Sequence, residues 1–302
     1  MVLDSSFPTF PLTVVRGIVL LSLCLLCAFV LGRLALGQSR QGYAAFTLVT
    51  QVTDYDPQGN ATAVATETRY FSSSGDWRWM GTHVKGRVRE TVFIQRRGVF
   101  FADHRNKQLV KLNDCMIANC WPHHITAQTL RSDPEFLRTE QLLGIVAYIH
   151  KNASGDLTYF APQLGDIPFK RITFLRGYKR VEEPVSLTFG EPDAAQVRDP
   201  SYQLVEEKPV FDADLDGRAL EKPSPHYSST TLAQRSSGKV TVEVIVDESG
   251  GVVDAWCVGE FCFSVLGQAA VDAAYRARFA PKELAGKPIK VMGLITYQTA
   301  TP

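Results

Sequence analysis

From Val240 to Val246 every second position is valine, the period-two pattern of a strand that buries one face. The strand predicted over 239–247 runs into Glu248-Ser249-Gly250-Gly251, a tight turn in which glycine supplies positive φ, and then into a second strand over Val252–Val258. At Ser264 the period changes. Leu266, Ala269, Ala270, Ala273 and Ala277 recur at three- and four-residue spacing, an alanine-rich stripe on one helix face with Gln268, Asp272 and Arg276 outside it. Pro281, in Arg278-Phe279-Ala280-Pro281, cannot continue the helix, and Gly286-Lys287-Pro288 turns the chain into a last strand over 289–299. Strand, strand, helix, strand is a small α+β unit with the helix on one face of an antiparallel sheet.

Upstream, short strands alternate with turn formers about every ten residues. Strands are predicted over 45–53, 61–71, 77–80, 89–95, 99–103 and 108–112, separated by clusters such as Asp54-Tyr55-Asp56-Pro57-Gln58-Gly59-Asn60 and Ser72-Ser73-Ser74-Gly75-Asp76. Between Cys115 and Arg138 the strand pattern lapses, and a short helix is expected over 134–138. Strands resume over 142–151, 157–161, 169–175 and 185–188. Such a meander predicts an antiparallel half-barrel. Residues 203–222, with Glu206-Glu207-Lys208-Pro209 and Asp212, Asp214 and Asp216, are polar enough for a solvated linker.

The organisation expected is therefore a targeting segment over 1–37, a β-rich domain over 38–202, a linker over 203–222 and the α+β unit over 223–302. Within the first of these, residues 17–32 are sixteen residues without a charge. That run is a signal-peptide core, short of the ~20 residues a spanning helix prefers unless Leu34-Ala35-Leu36 extends it past Arg33. Ala35-Leu36-Gly37 has small-x-small cleavage spacing, while Arg33 stands where cleavage regions are uncharged. Cleavage and retention as an anchor over 17–36 both stay open, and either exports the remainder.

Export changes how the cysteines read. Cys115 and Cys120, like Cys257 and Cys262, share a C-x4-C spacing, and in an oxidising compartment they are expected to form two local disulfides. His123 and His124 follow the first pair closely enough to suggest a zinc-type site, but adjacent histidines point apart and the disulfide is favoured over metal. There is no G-x-S-x-G nucleophile motif and no glycine-rich phosphate loop, so no catalytic residue and no cofactor are expected, an enzyme or metal-binding protein using the Cys115 to His124 cluster ranking last among the alternatives. A net charge of +1 leaves no footprint for nucleic acid.

The last quarter resembles the TonB C-terminal domain. The residues that carry this are Tyr227, Gly238-x-Val240-x-Val242-x-Val244-x-Val246-Asp247-x-x-Gly250, Val253, the helix over 269–277, Arg278-Phe279-x-Pro281 and Gly286-Lys287-Pro288. Ser228 stands where that family usually has proline, and the cysteines at 257 and 262 are not a general family feature. The resemblance implies a periplasmic, non-enzymatic module that engages an outer-membrane transporter or another envelope protein by adding the partner's strand to its last strand. Carried over, that edge is Lys290, Val291, Met292, Gly293, Leu294, Ile295, Thr296 and Tyr297. Edge-to-edge homodimerisation would use the same groups. Leu143-Gly144, Tyr159-Phe160-Ala161-Pro162-Gln163-Leu164-Gly165, Gly190-Glu191-Pro192-Asp193 and Tyr202 resemble the closing strands of the LolA-like group, a likeness resting on fewer fixed residues. It implies a half-barrel able to carry an apolar or lipid ligand. The absence of histidine from residues 17–36 and the short linker argue against a transducer that spans the envelope.

Overall fold

The computed structural model describes residues 45–82, 86–114, 123–226, 238–259, 262 and 264–299. Expectations that fall on residues 1–37, on Cys115 and Cys120, and on Tyr227 and Ser228 lie outside them. The fold is mostly β.

Along the chain lie β1 (Phe46–Tyr55), β2 (Ala61–Phe71), β3 (Trp77–Thr82), β4 (Val88–Ile94), β5 (Gly98–Asp103), β6 (Gln108–Asn113) and helix α1 (Ala127–Ser132). They are followed by β7 (Phe136–Leu142), β8 (Ile145–Lys151), β9 (Leu157–Phe160), β10 (Pro168–Leu175), β11 (Tyr178–Phe189) and the one-turn helix α2 (Ala194–Val197). Short strands β12 (Gln203–Val205), β13 (Val210–Asp212) and β14 (Ala219–Glu221) come next. The chain continues with β15 (Gly238–Val246), β16 (Val252–Val258), α3 (Val265–Arg276), β17 (Arg278–Phe279), β18 (Lys282–Leu284), β19 (Lys287–Ile289) and β20 (Val291–Thr299).

Among the described residues twelve strands form one open sheet in the order β12-β6-β5-β4-β3-β2-β1-β11-β10-β9-β8-β7. Two meanders meet where the long strands β1 and β11 pair antiparallel. On β1 alternate residues turn inward: Phe46, Leu48, Thr50, Val52 and Asp54 are buried. Ring stacking then runs across four strands, with centroids 4.6 Å apart for Phe46–Phe71, 5.8 Å for Phe71–Trp77 and 5.7 Å for Trp77–Phe93. Such pairs contribute roughly 0.5–1.5 kcal/mol each beyond area burial. With Leu48, Ile149 and Phe169 the first of these rings fill the sheet's apolar face with the chain's own side chains.

Two expectations in this half are corrected. The helix lies at Ala127–Ser132, not over 134–138: Thr126 caps it by accepting from the Thr129 amide at 3.0 Å. Asp133, ahead of Pro134, is held extended, as residues before proline are, so β7 starts at Phe136. The strand predicted over 142–151 is the second arm of a hairpin turned by Leu143-Gly144, both with positive φ.

The second sheet has the order β13-β20-β15-β16. Val240, Val242, Val244 and Val246 of β15 pack with Val291, Ile295 and Tyr297 of β20 against Leu266, Ala270, Ala273 and Ala274 of α3. Small residues on that helix let it lie close to the valines. Ser264 caps it by accepting from the Gly267 amide at 3.3 Å. Gly250, at φ 83°, is required at the β15–β16 turn because a Cβ there would lie 1.9 Å from the Phe279 carbonyl oxygen.

The opposite face of this sheet packs on β5 and β6 of the large one, within one compact unit that spans residues 43–302. Ile245 is fully buried with Phe101 and Val110, beside Trp256 and Met292. Charges surround the cluster. The Lys290 ammonium donates to Asp103 at 3.0 Å and Glu248 at 2.9 Å, with Lys290 only 7% and Asp103 0% exposed. Arg105 reaches Asp247 at 3.2 Å, and Arg89 reaches Asp254 at 3.2 Å while lying 4.3 Å over the Trp256 ring.

Candidate functional site

Period-two alternation divides the last strand among three environments. Val291, Gly293, Ile295 and Tyr297 face the helix; Met292 faces the junction cluster; Leu294 is 41% exposed and Thr296 partly buried. Lys290, just before the strand, sends its side chain into the junction. The backbone groups of Lys290 and Thr296 turn away from β15, and the same alternation turns those of Met292, Leu294 and Gln298 outward.

Against expectation this strand is not the outermost one. Beyond it lies β13, parallel and in register, with Val210 opposite Val291, Phe211 opposite Met292 and Asp212 opposite Gly293. The Val210 amide donates to the Lys290 carbonyl at 3.0 Å. Farther along, side chains do what a strand would do. The Thr296 amide donates to the Asp216 carboxylate at 3.2 Å and the Lys222 ammonium donates to the Thr296 carbonyl at 3.2 Å. Asp216 and Lys222 are themselves paired at 2.6 Å, so one ion pair supplies both the acceptor and the donor of a missing peptide unit.

Residues 203–222 are thus built into three sheets, whereas their composition suggested a solvated linker: β12 pairs parallel with β6 of the large sheet, β13 parallel with β20, and β14 antiparallel with β17 in a two-stranded sheet of its own. Asp212, expected in solvent, is 6% exposed and accepts from Arg218 at 2.7 Å and Lys282 at 3.0 Å. Burial acts to raise its carboxyl, but the Lys282 hydrogen bond, the Asp214 amide and the two cations outweigh it and hold the group below the ordinary 3.8. Leu215 is 2% exposed and belongs to the helix–sheet core. It can reach that core because residue 293 is glycine: a Cβ there would stand 2.6 Å from the Asp212 carbonyl oxygen and 2.9 Å from the Leu215 side chain.

A cavity of about 570 Å³ opens between β1–β2 and α3. Val52, Ala63 and Val271 give it apolar walls, and Asp54, Arg180 and Asp272 give it charge. Arg180 grips Asp54 through two hydrogen bonds of 2.7 and 2.8 Å.

In the wall of this cavity Cys257 and Cys262 form a disulfide, with Cα atoms 5.2 Å apart, that ties the end of β16 to the start of α3. Of the other cluster, His124 is exposed and His123 is held by Asp166, ring nitrogen to carboxylate 2.8 Å and amide to carboxylate 2.7 Å. Among the described residues no three His, Cys, Asp or Glu converge as metal ligands. Among them, too, no helix is long and apolar enough to cross a membrane.

Residues 223–298 match the family model of the Gram-negative bacterial TonB protein C-terminal, in agreement with the TonB-like residues of the last quarter of the chain. No curated protein matches the sequence. Among solved structures, the chain is similar to a LolA superfamily protein from Nitrosomonas europaea at 12% identity and TM-score 0.29, covering 53% of this chain and 93% of that one. It is similar also to MucB in complex with MucA(peri), at 12% identity and TM-score 0.32 over 79% and 94% of the two chains. A third similarity is to PNGF-II, at 13% identity and TM-score 0.34 over 68% and 44%.

Proposed function

We propose that this is a non-enzymatic periplasmic protein whose TonB-like module engages an envelope protein, an outer-membrane transporter foremost, by taking an extended peptide alongside β20. The observation that carries this reading is the outward row of backbone groups from Lys290 to Thr296, met at one end in register by the extended segment β13 and at the other by the Asp216 and Lys222 side chains. The family match over residues 223–298 supports the class of partner. In this reading the β-rich half is not a flexible appendage. Buried charges and the Ile245 cluster join it to the module, so a captured partner is fixed relative to the large sheet.

Transport of a small amphipathic ligand is a second reading. It is favoured by the cavity beside α3, whose apolar walls and Asp54–Arg180 pair would suit an apolar body with a polar head. The filled apolar face of the large sheet leaves less room for an acyl chain there.

A photo-crosslinker placed at Leu294, in cells with an intact envelope, tests the first reading, with the same group at exposed Leu143 on the β7–β8 turn as control. Adducts to an outer-membrane protein from Leu294 and not from Leu143 are expected. Identical adducts from both positions, or none from Leu294, would remove strand addition at β20.

A further inference from the structure

The connector can be read as a ligand. It meets β20 the way a docked peptide meets a sheet edge: parallel, in register, with main-chain hydrogen bonds at one end and a buried apolar anchor at the other. We infer that residues 210–222 are an internal occupant of the β20 edge, and that this edge takes a partner peptide of similar chemistry only after they are displaced. The inference rests on the strand-addition reading above and gives that site both a gate and a specificity.

The specificity follows from what the connector would leave behind. Its removal frees the outward groups of Lys290 and Met292, the Lys282 ammonium that holds Asp212, and the slot over Gly293 that holds Leu215. Lys282 and Gly293 belong to the module and stay in place. A segment that satisfies them runs parallel to β20 and carries a carboxylate, then a branched apolar residue three positions later, the spacing of Asp212 and Leu215. Two extended residues precede the carboxylate, where Val210 and Phe211 lie.

The gate is also a shield. With β13 in place the strand facing solvent is three residues long, a poor template for indiscriminate pairing, and beyond it the Asp216–Lys222 pair covers Thr296 without presenting a further edge. Competition then sets the apparent affinity: a partner's apparent dissociation constant is its intrinsic one divided by the fraction of molecules whose connector is released.

The probe is a fluorescent peptide copying residues 209–222, titrated into the full-length protein and into Asp216→Ala/Lys222→Ala, which loosens the connector at the surface and leaves the core untouched. Leu215→Ser, which withdraws the anchor, is the stronger variant; the double variant carries the test should Leu215→Ser not fold. The peptide is expected to bind the loosened protein about tenfold more tightly than wild type. A peptide with Asp212→Asn and Leu215→Ala should lose that binding, and amide exchange should rise over 210–222 as the copy displaces the original. Equal affinity for wild-type and loosened protein, no dependence on the acid and the leucine, or no binding to either protein would each overturn the inference. The reading it rests on fails separately: if the peptide binds as expected but Leu294 gives no crosslink to an envelope protein, the gate stands and the proposed function falls.

Discussion

The two faces of the four-stranded sheet are held by different physics. On the helix face, valines of β15 and alanines of α3 meet in a cluster stabilised by burial, which has no direction. On the junction face a small apolar patch around Ile245 is bounded by ion pairs in which at least one partner is buried, each placed to within a hydrogen bond. Burial degrades gradually when a methyl is lost; a desolvated charge deprived of its partner does not. The helix face therefore loses stability by degrees, whereas the junction face, which also sets where the module sits, loses it in one large step.

The sharpest break in that comparison is Lys290→Met. It strands Asp103, which is 0% exposed, and should cost roughly 3–5 kcal/mol, read as a drop in urea midpoint. The Asp103 carboxylate keeps the Arg105 and Asn106 amides at 3.1 Å, so the loss falls toward the lower end. Adding Asp103→Leu removes the stranded charge, and the double variant should recover part of the loss. A double variant as unstable as the sum of the two single ones would refute this account of the junction.

Val244→Ala opens a gap under α3 and should cost roughly 2–3 kcal/mol from lost transfer and cavity terms, with the junction undisturbed by amide exchange over β5. Smaller again is reduction of Cys257–Cys262, which closes a short loop with a sequence separation of 5. About 2 kcal/mol or less is expected, with enhanced exchange confined to the start of α3 and the end of β16.

Acid separates the faces last and most gently. Burial acts to raise the Asp247 carboxyl, but hydrogen bonds from Ser249 and Gly251 and the charge of Arg105 prevail and hold it below 3.8. A depressed folded value means that its contribution is complete above 3.8 and is lost as pH falls through the folded value. Melting temperatures of wild type and Asp247→Asn should therefore differ at neutral pH and converge in acid. A gap that widens in acid would show the sign to be wrong.

What the chain discloses follows the same division. The helix face was legible because burial writes itself as periodicity: alternate valines, then alanines at three and four. Its terminal motif, Arg278-Phe279-Ala280-Pro281, ended the helix where expected, with Ala277 as its cap residue. The junction was written more faintly. Ile245 is an apolar residue at a position where Thr241 and Glu243 mark the other face, and it is the one sign in β15 that this face is also covered. Lys290 gave no sign at all, because a buried lysine and a solvated one look alike until the partner carboxylate is located 187 residues away. The connector misled for a related reason. Three aspartates within five residues read as solvent-facing, yet Asp212 is buried by cations that come from 6 and 70 residues farther on, Arg218 and Lys282. Of the candidate edge, the strand itself was legible and its neighbour was not, since three residues of β13 are too few to show a period.

β20 is the last of the described strands to leave the ribosome, and it is the common neighbour of two strands that precede it. Val210 must wait about eighty residues for Val291, a closure whose entropic cost grows only slowly with length but which cannot begin early. Until then β13 and β15 each present an unfilled side, open to pairing with other unfolded chains. When the strand arrives it inserts between them, and two open edges close in a single step. The order of emergence thus makes the final strand a keystone, and any agent that traps it before insertion leaves both neighbours exposed together.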